Sequence, residues 1–466
     1  MKRVLFLFLF LAGTCGLAGA QEQPPKKLSG ADERFKADIL VVVAHPDDEG
    51  AVTPYLARAI YDLHKRVAVV FGTHGGSGAN NYGAERAGAL TDIREIEARE
   101  ACARLGITNA WFLDGKDTAS QNVLNSLANW GHGANLEKMV ELIRLTRPEV
   151  IITSLPGVFI GENHGDHQAT GVIATEAFDL AANQVVFPAQ IAGASGHREI
   201  YLENLQPWQV KKIYYFPDAN DEKQFSGTGP AYSIKEISPS QKKPYWRIAL
   251  DAATTHLTQY PADIERIQKM SDAEVEKMMS DPDAAWWSEP ETLVFGKSYY
   301  VSKATDDVFA KLEGEPNQCP GLAVNGQRPQ GVTAVKIGGP WGFYQSFREA
   351  HCLVSLRVAD PPEIAVMAGG QVYVPLTITH AKGKALKLQV KVEVPKGWRV
   401  TAGEGEISLS AEATSELRVE VETPKLTASE LKTNDVQEIV VHALVDGAPA
   451  GDIRLRVQLR AHGLPQ

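Results

Sequence analysis

A chain of 466 residues with 44% hydrophobic side chains is long enough for two or three domains, each with its own core. Its 47 Lys and Arg stand against 57 Asp and Glu, a net charge of −10, so no basic surplus exists to neutralise a phosphate backbone. Nucleic acid is thereby excluded as an expected partner.

In chain order the first feature is a processing signal: Lys2 and Arg3, an apolar run over residues 4–12, then Ala18-Gly19-Ala20 ahead of Gln21. Residues 1–20 read as a cleaved signal peptide. A membrane anchor is the poorer reading, because the run is shorter than the roughly 20 residues that cross a bilayer. A lipid anchor at Cys15 would want a large aliphatic residue three places before it, where Ala12 stands. The expectation is a secreted or periplasmic protein with no integral span once the leader is gone. Cys102, Cys319 and Cys352 then remain, an odd number that excludes a closed disulfide framework. Cys319 and Cys352 can pair in an oxidising compartment, and Cys102, in a helical pattern, reads as a buried thiol.

The apolar run at residues 39–43 predicts a strand buried on both faces of a parallel sheet. Val52, Leu56, Ile60 and Leu63 follow at helical spacing, with Pro54 tolerable in the first turn. Residues 67–71 predict a second strand, 73–83 a Gly-rich loop, and 92–105 a helix closed by Gly106. A third strand ending at Leu113, a helix over 136–145 stopped near Pro148, and a strand over 150–153 complete the alternation. This is the grammar of an α/β domain with a doubly wound, mostly parallel, Rossmann-like sheet, in which ligands bind outside the carboxyl ends of the strands.

From about residue 360 the pattern changes. Leu386, Leu388, Val390, Val392 and Val394 alternate with Lys387, Gln389, Lys391 and Glu393, and the alternation returns at Leu417, Val419 and Val421 and at Ile453, Leu455, Val457 and Leu459. Half-buried antiparallel strands at this spacing predict an all-β sandwich. The expected division is an α/β domain over 36–305, a connecting segment over 306–357 that carries no clear pattern, and a sandwich over 358–466.

Two motifs carry chemistry. Ala44-His45-Pro46-Asp47-Asp48-Glu49 follows the first strand directly. An imidazole and a carboxylate three residues apart at a strand's end can converge on one cation, and zinc accepts that mixture of donors. Adjacent carboxylates also allow Asp48 to bind metal while Asp47 stays free as a base. The competing reading is that one of them only caps the following helix. The second motif, His164-Gly165-Asp166-His167, opens another helical pattern, and two histidines three apart share a face of a helical turn. Taken singly, it reads equally as a pair of solvated loop histidines. Together, His45, Asp48 and His167 make three protein ligands with a fourth position open, as in catalytic zinc sites. Asp47 is then the natural general base, His164 an imidazolium beside the oxyanion, and Asp166 the group that orients it.

On these residues the chain resembles the LmbE-like or PIG-L deacetylases, zinc enzymes acting on N-acetylglucosaminyl compounds. The resemblance implies the same roles: zinc on His45, Asp48 and His167, Asp47 as base, and His164 assisting the oxyanion. Thr73-His74-Gly75-Gly76-Ser77-Gly78-Ala79-Asn80 is similar to the family's Gly-rich loop, and Arg94, Glu97, Leu105 and Gly106 to its next helix. Arg147-Pro148 and His256-Leu257-Thr258-Gln259 fit as well, so the resemblance spans roughly residues 38–300. It implies substrate contacts by Arg94, Gly75, Gly78 and Asn80. Gly76, where many members carry an acidic residue, and His74 depart from the pattern. More loosely, the C-terminal sandwich resembles immunoglobulin-like modules of secreted carbohydrate-active enzymes, with Val394-Pro395-Lys396-Gly397-Trp398 as a hairpin.

The expected function is hydrolysis of the N-acetyl group of an N-acetylglucosamine-type saccharide or glycoconjugate, with Zn2+ or another divalent first-row metal such as iron or cobalt. Another amide substrate, or a metal-containing glycan-binding protein without turnover, are the alternatives. Trp286 and Trp287 read first as core and second as a surface for a sugar ring. His74 and His132 read as solvated loop residues.

Overall fold

A computed structural model of the chain describes residues 31–157, 164–191, 205–216, 225–281, 285–317, 333–353, 356–358, 360–379, 385–410, 414–427, 429–431 and 436–460. The expected leader, Cys15 and Cys319 lie outside them.

The apolar runs are strands of one sheet. Ile39–Val43 (β1) and Val67–Thr73 (β2) are buried along their whole length. Asn109–Gly115 (β3) lies at the sheet's edge and is less buried, whereas Val150–Ser154 (β4) and Lys212–Phe216 (β5) are again fully buried. The order is β3-β2-β1-β4-β5 with all pairs parallel, and Val294–Ser298 adds an antiparallel strand beyond β5.

Because side chains alternate across a strand, β1 feeds two cores at once. Leu40 and Val42 face one layer, with Met139, Ile143, Val172 and Ile173, while Ile39, Val41 and Val43 face the other, with Leu56, Ala98, Cys102 and Ile248. The helices sort accordingly. Val123–Trp130 (α3), His132–Thr146 (α4) and Gly165–Leu180 (α5) cover the first face; Thr53–Tyr61 (α1), Gly88–Leu105 (α2) and Tyr245–Ala253 (α6) cover the second. The expected doubly wound architecture stands, and Cys102 is a buried free thiol. α3, in a stretch for which the sequence pattern gives no expectation, is started by Asn122, whose side chain accepts from the Leu124 N–H.

This topology locates the site. The chain leaves β1 toward β2 and β3 on one side and returns through β4 to β5 on the other, so the crevice opens between the carboxyl ends of β1 and β4.

The alternating segments form two further sheets around a shared core. One runs Ala334–Ile337, Gln371–Thr379, Thr414–Glu422, Arg399–Ala402; the other runs Glu363–Met367, Ala448–Arg460, Val436–Val445, Leu386–Glu393, Gly405–Leu409. Pairing is antiparallel except between Glu363–Met367 and Ala448–Arg460. Val374, Leu388, Val419, Val441 and Leu455 meet in the middle.

The stretch 306–357, without an expected assignment, is more than a tether. Its strand Ala334–Ile337 pairs with Gln371–Thr379, so sandwich pairing starts before the expected join near 358. Its helix Gly339–Ala350 sends Phe347, followed by Leu353 and Leu356, into the α/β core, while Trp341 lies against the sandwich core. Cys352, just beyond, is disulfide-bonded. A buried ionic knot fixes the same junction: Asp179 of α5 accepts from Lys297 Nζ at 2.6 and 2.7 Å and contacts His351 Nδ1 at 2.6 Å, and Lys297 also donates to the His351 carbonyl at 3.0 Å.

Removing one member of a buried ionic group leaves the others desolvated without compensation. Asp179→Ala should therefore destabilise the α/β unit by about 3 to 5 kcal/mol. A urea titration followed by circular dichroism should show its midpoint falling; an unchanged midpoint would mean the knot is solvated in practice.

Candidate active site

β1 ends in Ala44, whose carbonyl accepts from the Thr73 N–H at 2.8 Å, and the next residue, His45, enters the crevice. The chain then turns back at once. His45 N–H donates to Asp48 Oδ2 at 2.7 Å, and residues Asp48–Val52 wind into a 3-10 turn. The turn requires Asp47 at φ 112°, a left-handed conformation that a residue with a Cβ adopts only when its surroundings impose it. Those surroundings are visible: Asp47 N–H donates to Glu49 Oε2 at 3.0 Å, Arg94 Nη2 donates to Asp47 Oδ1 at 2.9 Å, and Tyr260 OH donates to Asp47 Oδ2 at 3.0 Å.

From the β4 side, α5 begins at the crevice. His164 is its N-cap, with Nδ1 accepting from the Asp166 N–H at 3.3 Å, and His167 lies in the first turn. Here the two motifs meet. His45 Nδ1 lies 3.1 Å from His167 Nε2 and 3.4 Å from Asp48 Oδ2, and His167 Nε2 lies 3.3 Å from that same oxygen. Donors bound to one tetrahedral ion at about 2.0 to 2.1 Å are themselves about 3.3 Å apart. The three atoms thus have the chemistry and mutual spacing of a ligand set for a divalent cation. His164 stands beside them, its ring centre 4.3 Å from that of His167, and its ligand atom falls within 4.8 Å of those of His45 and His167.

Electrostatics separates the two adjacent acids. Burial works against charge on Asp48, but the imidazoles of His167 and His45 outweigh it and hold the carboxyl below the usual range. Burial pushes the Asp47 carboxyl up, against the pull of Arg94. One acid is suited to hold a cation and the other to exchange a proton. Burial also penalises the charged form of His45, yet hydrogen bonds to Asp166 and Asp48 push it up to about 10. Burial first, then His167 and His45, push His164 down to about 3, so its ring is neutral near pH 7. With Nδ1 accepting a backbone N–H, the proton of that neutral ring sits on Nε2. In that state an oxyanion would meet a neutral N–H donor at His164.

The expected role of Asp166 also changes partner. Its Oδ2 lies 3.3 Å from His45 Nε2 and accepts from the Thr118 N–H at 2.7 Å, so the carboxylate orients His45, and its link to His164 runs through its backbone N–H. The four residues to which the resemblance assigns substrate contacts make protein contacts. Arg94, 4% exposed, donates to the carbonyls of Pro46 and Gly75 as well as to Asp47. Gly75 (φ 71°) and Gly78 let the loop close on that guanidinium: a Cβ at Gly75 would lie 2.6 Å from Arg94 Cζ, and one at Gly78 2.7 Å from Nη1. Asn80 Oδ1 accepts from the N–H groups of Tyr82 and Gly83 and shapes the loop's turn. His74 pairs with Glu95 and His132 with Glu176.

Several working residues have no expected role in the sequence. Glu49, inside the first motif, is bonded through Oε1 to His256 Nε2 at 2.6 Å, both fully enclosed. Glu97 accepts from Thr258 N–H and Oγ1. Tyr260 follows the quoted His256-Leu257-Thr258-Gln259 directly, and Asp117 and Thr118 follow the end of β3, so a search of every strand's carboxyl end would have found the last two.

Residues 40–178 match the family model described as PIG-L, GlcNAc-PI de-N-acetylase. Over those residues the α/β unit is similar to PIG-L/LmbE-family deacetylase domains. Among curated proteins, the chain is 32% identical over 188 residues to a 1D-myo-inositol 2-acetamido-2-deoxy-alpha-D-glucopyranoside deacetylase of Frankia alni, covering 37% of this chain and 59% of that protein. It is 24% identical over 255 residues to the deacetylase so named from Thermobifida fusca, covering 47% of this chain and 82% of that one. A solved N,N'-diacetylchitobiose deacetylase from Pyrococcus horikoshii overlays at a TM-score of 0.36 with 18% identity, over 56% of this chain and 84% of that chain. The chain thus spans about three fifths of the Frankia protein, and the C-terminal sandwich lies beyond the matched family region.

Two outcomes test the site's construction. Gly75→Ala, at positive φ and against Arg94, should cost about 1 to 2 kcal/mol of stability, while Gly133→Ala, with open space around it, should cost nothing measurable in the same thermal melts. Elemental analysis of purified protein should find a divalent first-row ion that is lost in His45→Ala and in His167→Ala but kept in Asp47→Ala.

Proposed function

We propose that this chain hydrolyses the acetamido group of an N-acetylglucosamine-type saccharide or glycoconjugate, releasing acetate and a free amine, with zinc as its ion. The observation that carries the reading is the closure of His45, Asp48 and His167 to within 3.1–3.4 Å of one another, with the proton-binding carboxylate of Asp47 next in sequence. A nitrogen-rich set with one carboxylate suits zinc, and iron or cobalt fit the same donors. What such an ion supplies when bound is Lewis acidity, which polarises an acyl oxygen and acidifies water.

The chain's own groups do the rest. Each Asp47 oxygen already accepts one hydrogen bond, from Arg94 or Tyr260, and keeps a lone pair for the proton of the attacking water. That proton goes back from Asp47 to the departing amine, so the carboxylate ends as it began. The Nε2–H of His164, at the positive end of α5, donates to the acyl oxygen as charge builds on it. Asp166 fixes the His45 ring, and the buried Arg94 and Glu49 hold Asp47 in its left-handed turn.

The names of the curated relatives support the substrate class, since both carry deacetylases of a 2-acetamido-2-deoxyglucopyranoside. Residues 1–20 support export to the periplasm or medium, and among the described residues no helix is long and apolar enough to cross a membrane. We read residues 36–305 as the catalytic unit and 358–466 as an immunoglobulin-like packing module, with the intervening segment tying one to the other.

Acetate release from acetylated amino sugars should be abolished by a chelator and restored by zinc, and Asp47→Asn should lower it by about 100-fold to 10,000-fold. Release that persists in Asp47→Asn would remove the carboxylate from its role. Saccharide binding without release would make the protein a lectin-like metal protein instead.

A further inference from the structure

The aromatic residues beside Asp47 are more than walls of the fold. Trp286 and Trp287 are neighbours in sequence with different environments. Trp287 is buried at 8% exposure in a core with Val275, Met278 and Met279, and its Nε1 donates to the Gly50 carbonyl at 2.7 Å, which pins it to the turn that carries Asp48. Trp286 is only partly buried, with its ring 6.0 Å from that of Trp287 and 5.7 Å from that of Tyr260, tilted by 49° to the latter. Tyr260 is 42% exposed, yet its hydroxyl reaches Asp47 Oδ2. A continuous aromatic strip therefore runs from a buried anchor, through a half-open indole, to a phenol touching the proposed base.

The strip is held in place by the Gly-rich loop. Asn81 N–H donates to the Thr258 carbonyl, Asn81 Nδ2 to the Gln259 carbonyl, and Gln259 Nε2 to the Ala79 carbonyl, all at 2.8–2.9 Å. The Gly-rich loop and the segment that presents Tyr260 thus form one rim, so the strip's position is set by the same bonds that set the loop. Aromatic rings on a fixed support, Tyr260 exposed and Trp286 partly so, offer apolar area at little cost in side-chain entropy. The C–H face of a pyranose ring is the matching surface, whereas the polar crevice floor of His and Asp side chains suits the acetamido group.

We infer that Trp286 and Tyr260 form a stacking shelf for a second sugar ring, adjoining the one whose acetamido group is hydrolysed, so that the substrate is a glycan of at least two residues. The inference rests on the deacetylase reading for the identity of the first ring but concerns a separate surface. Trp286 is a specificity residue that binds the neighbouring ring and takes no part in proton transfer.

The test compares N-acetylglucosamine with its β-1,4-linked dimer and trimer on the full zinc-loaded chain. The wild type should favour the dimer by about tenfold in kcat/KM, chiefly through KM. Trp286→Ala should erase that preference, and Trp286→Phe, which keeps a ring, should recover most of it, which separates lost stacking from lost folding. A wild type without preference, or a preference that survives Trp286→Ala, overturns the shelf. Should no saccharide release acetate, the deacetylase reading falls by itself. Calorimetry with the β-1,4-linked glucosamine dimer then decides the shelf: weaker binding in Trp286→Ala upholds it, and equal binding overturns it.

Discussion

Everything in the crevice depends on the packing of two neighbouring carboxylates in one tight turn. Asp48 lies against His45 and His167 and is held charged; Asp47, in its left-handed turn, lies against Arg94 and Tyr260, and burial pushes its carboxyl up. The two carboxylates differ in their partners, imidazoles for Asp48 and a guanidinium and a phenol for Asp47, and those partners divide their roles. The cost of the left-handed conformation is offset by three hydrogen bonds, one from the Asp47 N–H to Glu49 and one each from Arg94 and Tyr260 to the Asp47 carboxylate. Removing the strain would also remove the division between a cation-holding acid and a proton-handling one.

Much of this was legible in the residues themselves. Unbroken apolar runs at β1, β2 and β4 had to be doubly covered strands, and the residues just past β1 and β4 had to meet at the switch point. The same reasoning brings His45, Asp48 and His167 to one crevice. What it could not give was direction. The sequence-based expectation paired Asp166 with His164, but the cap that His164 makes on α5 turns the Asp166 side chain toward His45 and Thr118. Similarly Arg94, expected at the substrate, is drawn inward by the Pro46 and Gly75 carbonyls, a contact that depends on how closely glycine backbone can approach and leaves no mark in periodicity.

The junction at 306–357 escaped for a different reason. A four-residue edge strand is too short to show alternation, and a helix whose two faces meet two different cores has no single apolar stripe. Such a segment reads as irregular because it answers to both units. The Asp179, Lys297 and His351 group has the same character: each residue alone is an ordinary charged side chain, and only tertiary contact makes them a buried set.

The bond between Glu49 and His256 joins residues 207 positions apart. During synthesis the first motif leaves the ribosome long before its partner does, and the Asp47 turn is without both this latch and the Tyr260 phenol until that later stretch arrives. Chemical competence is thus deferred to the last third of the α/β unit, and a nascent chain cut short after α5 would carry every motif residue, yet no properly braced base.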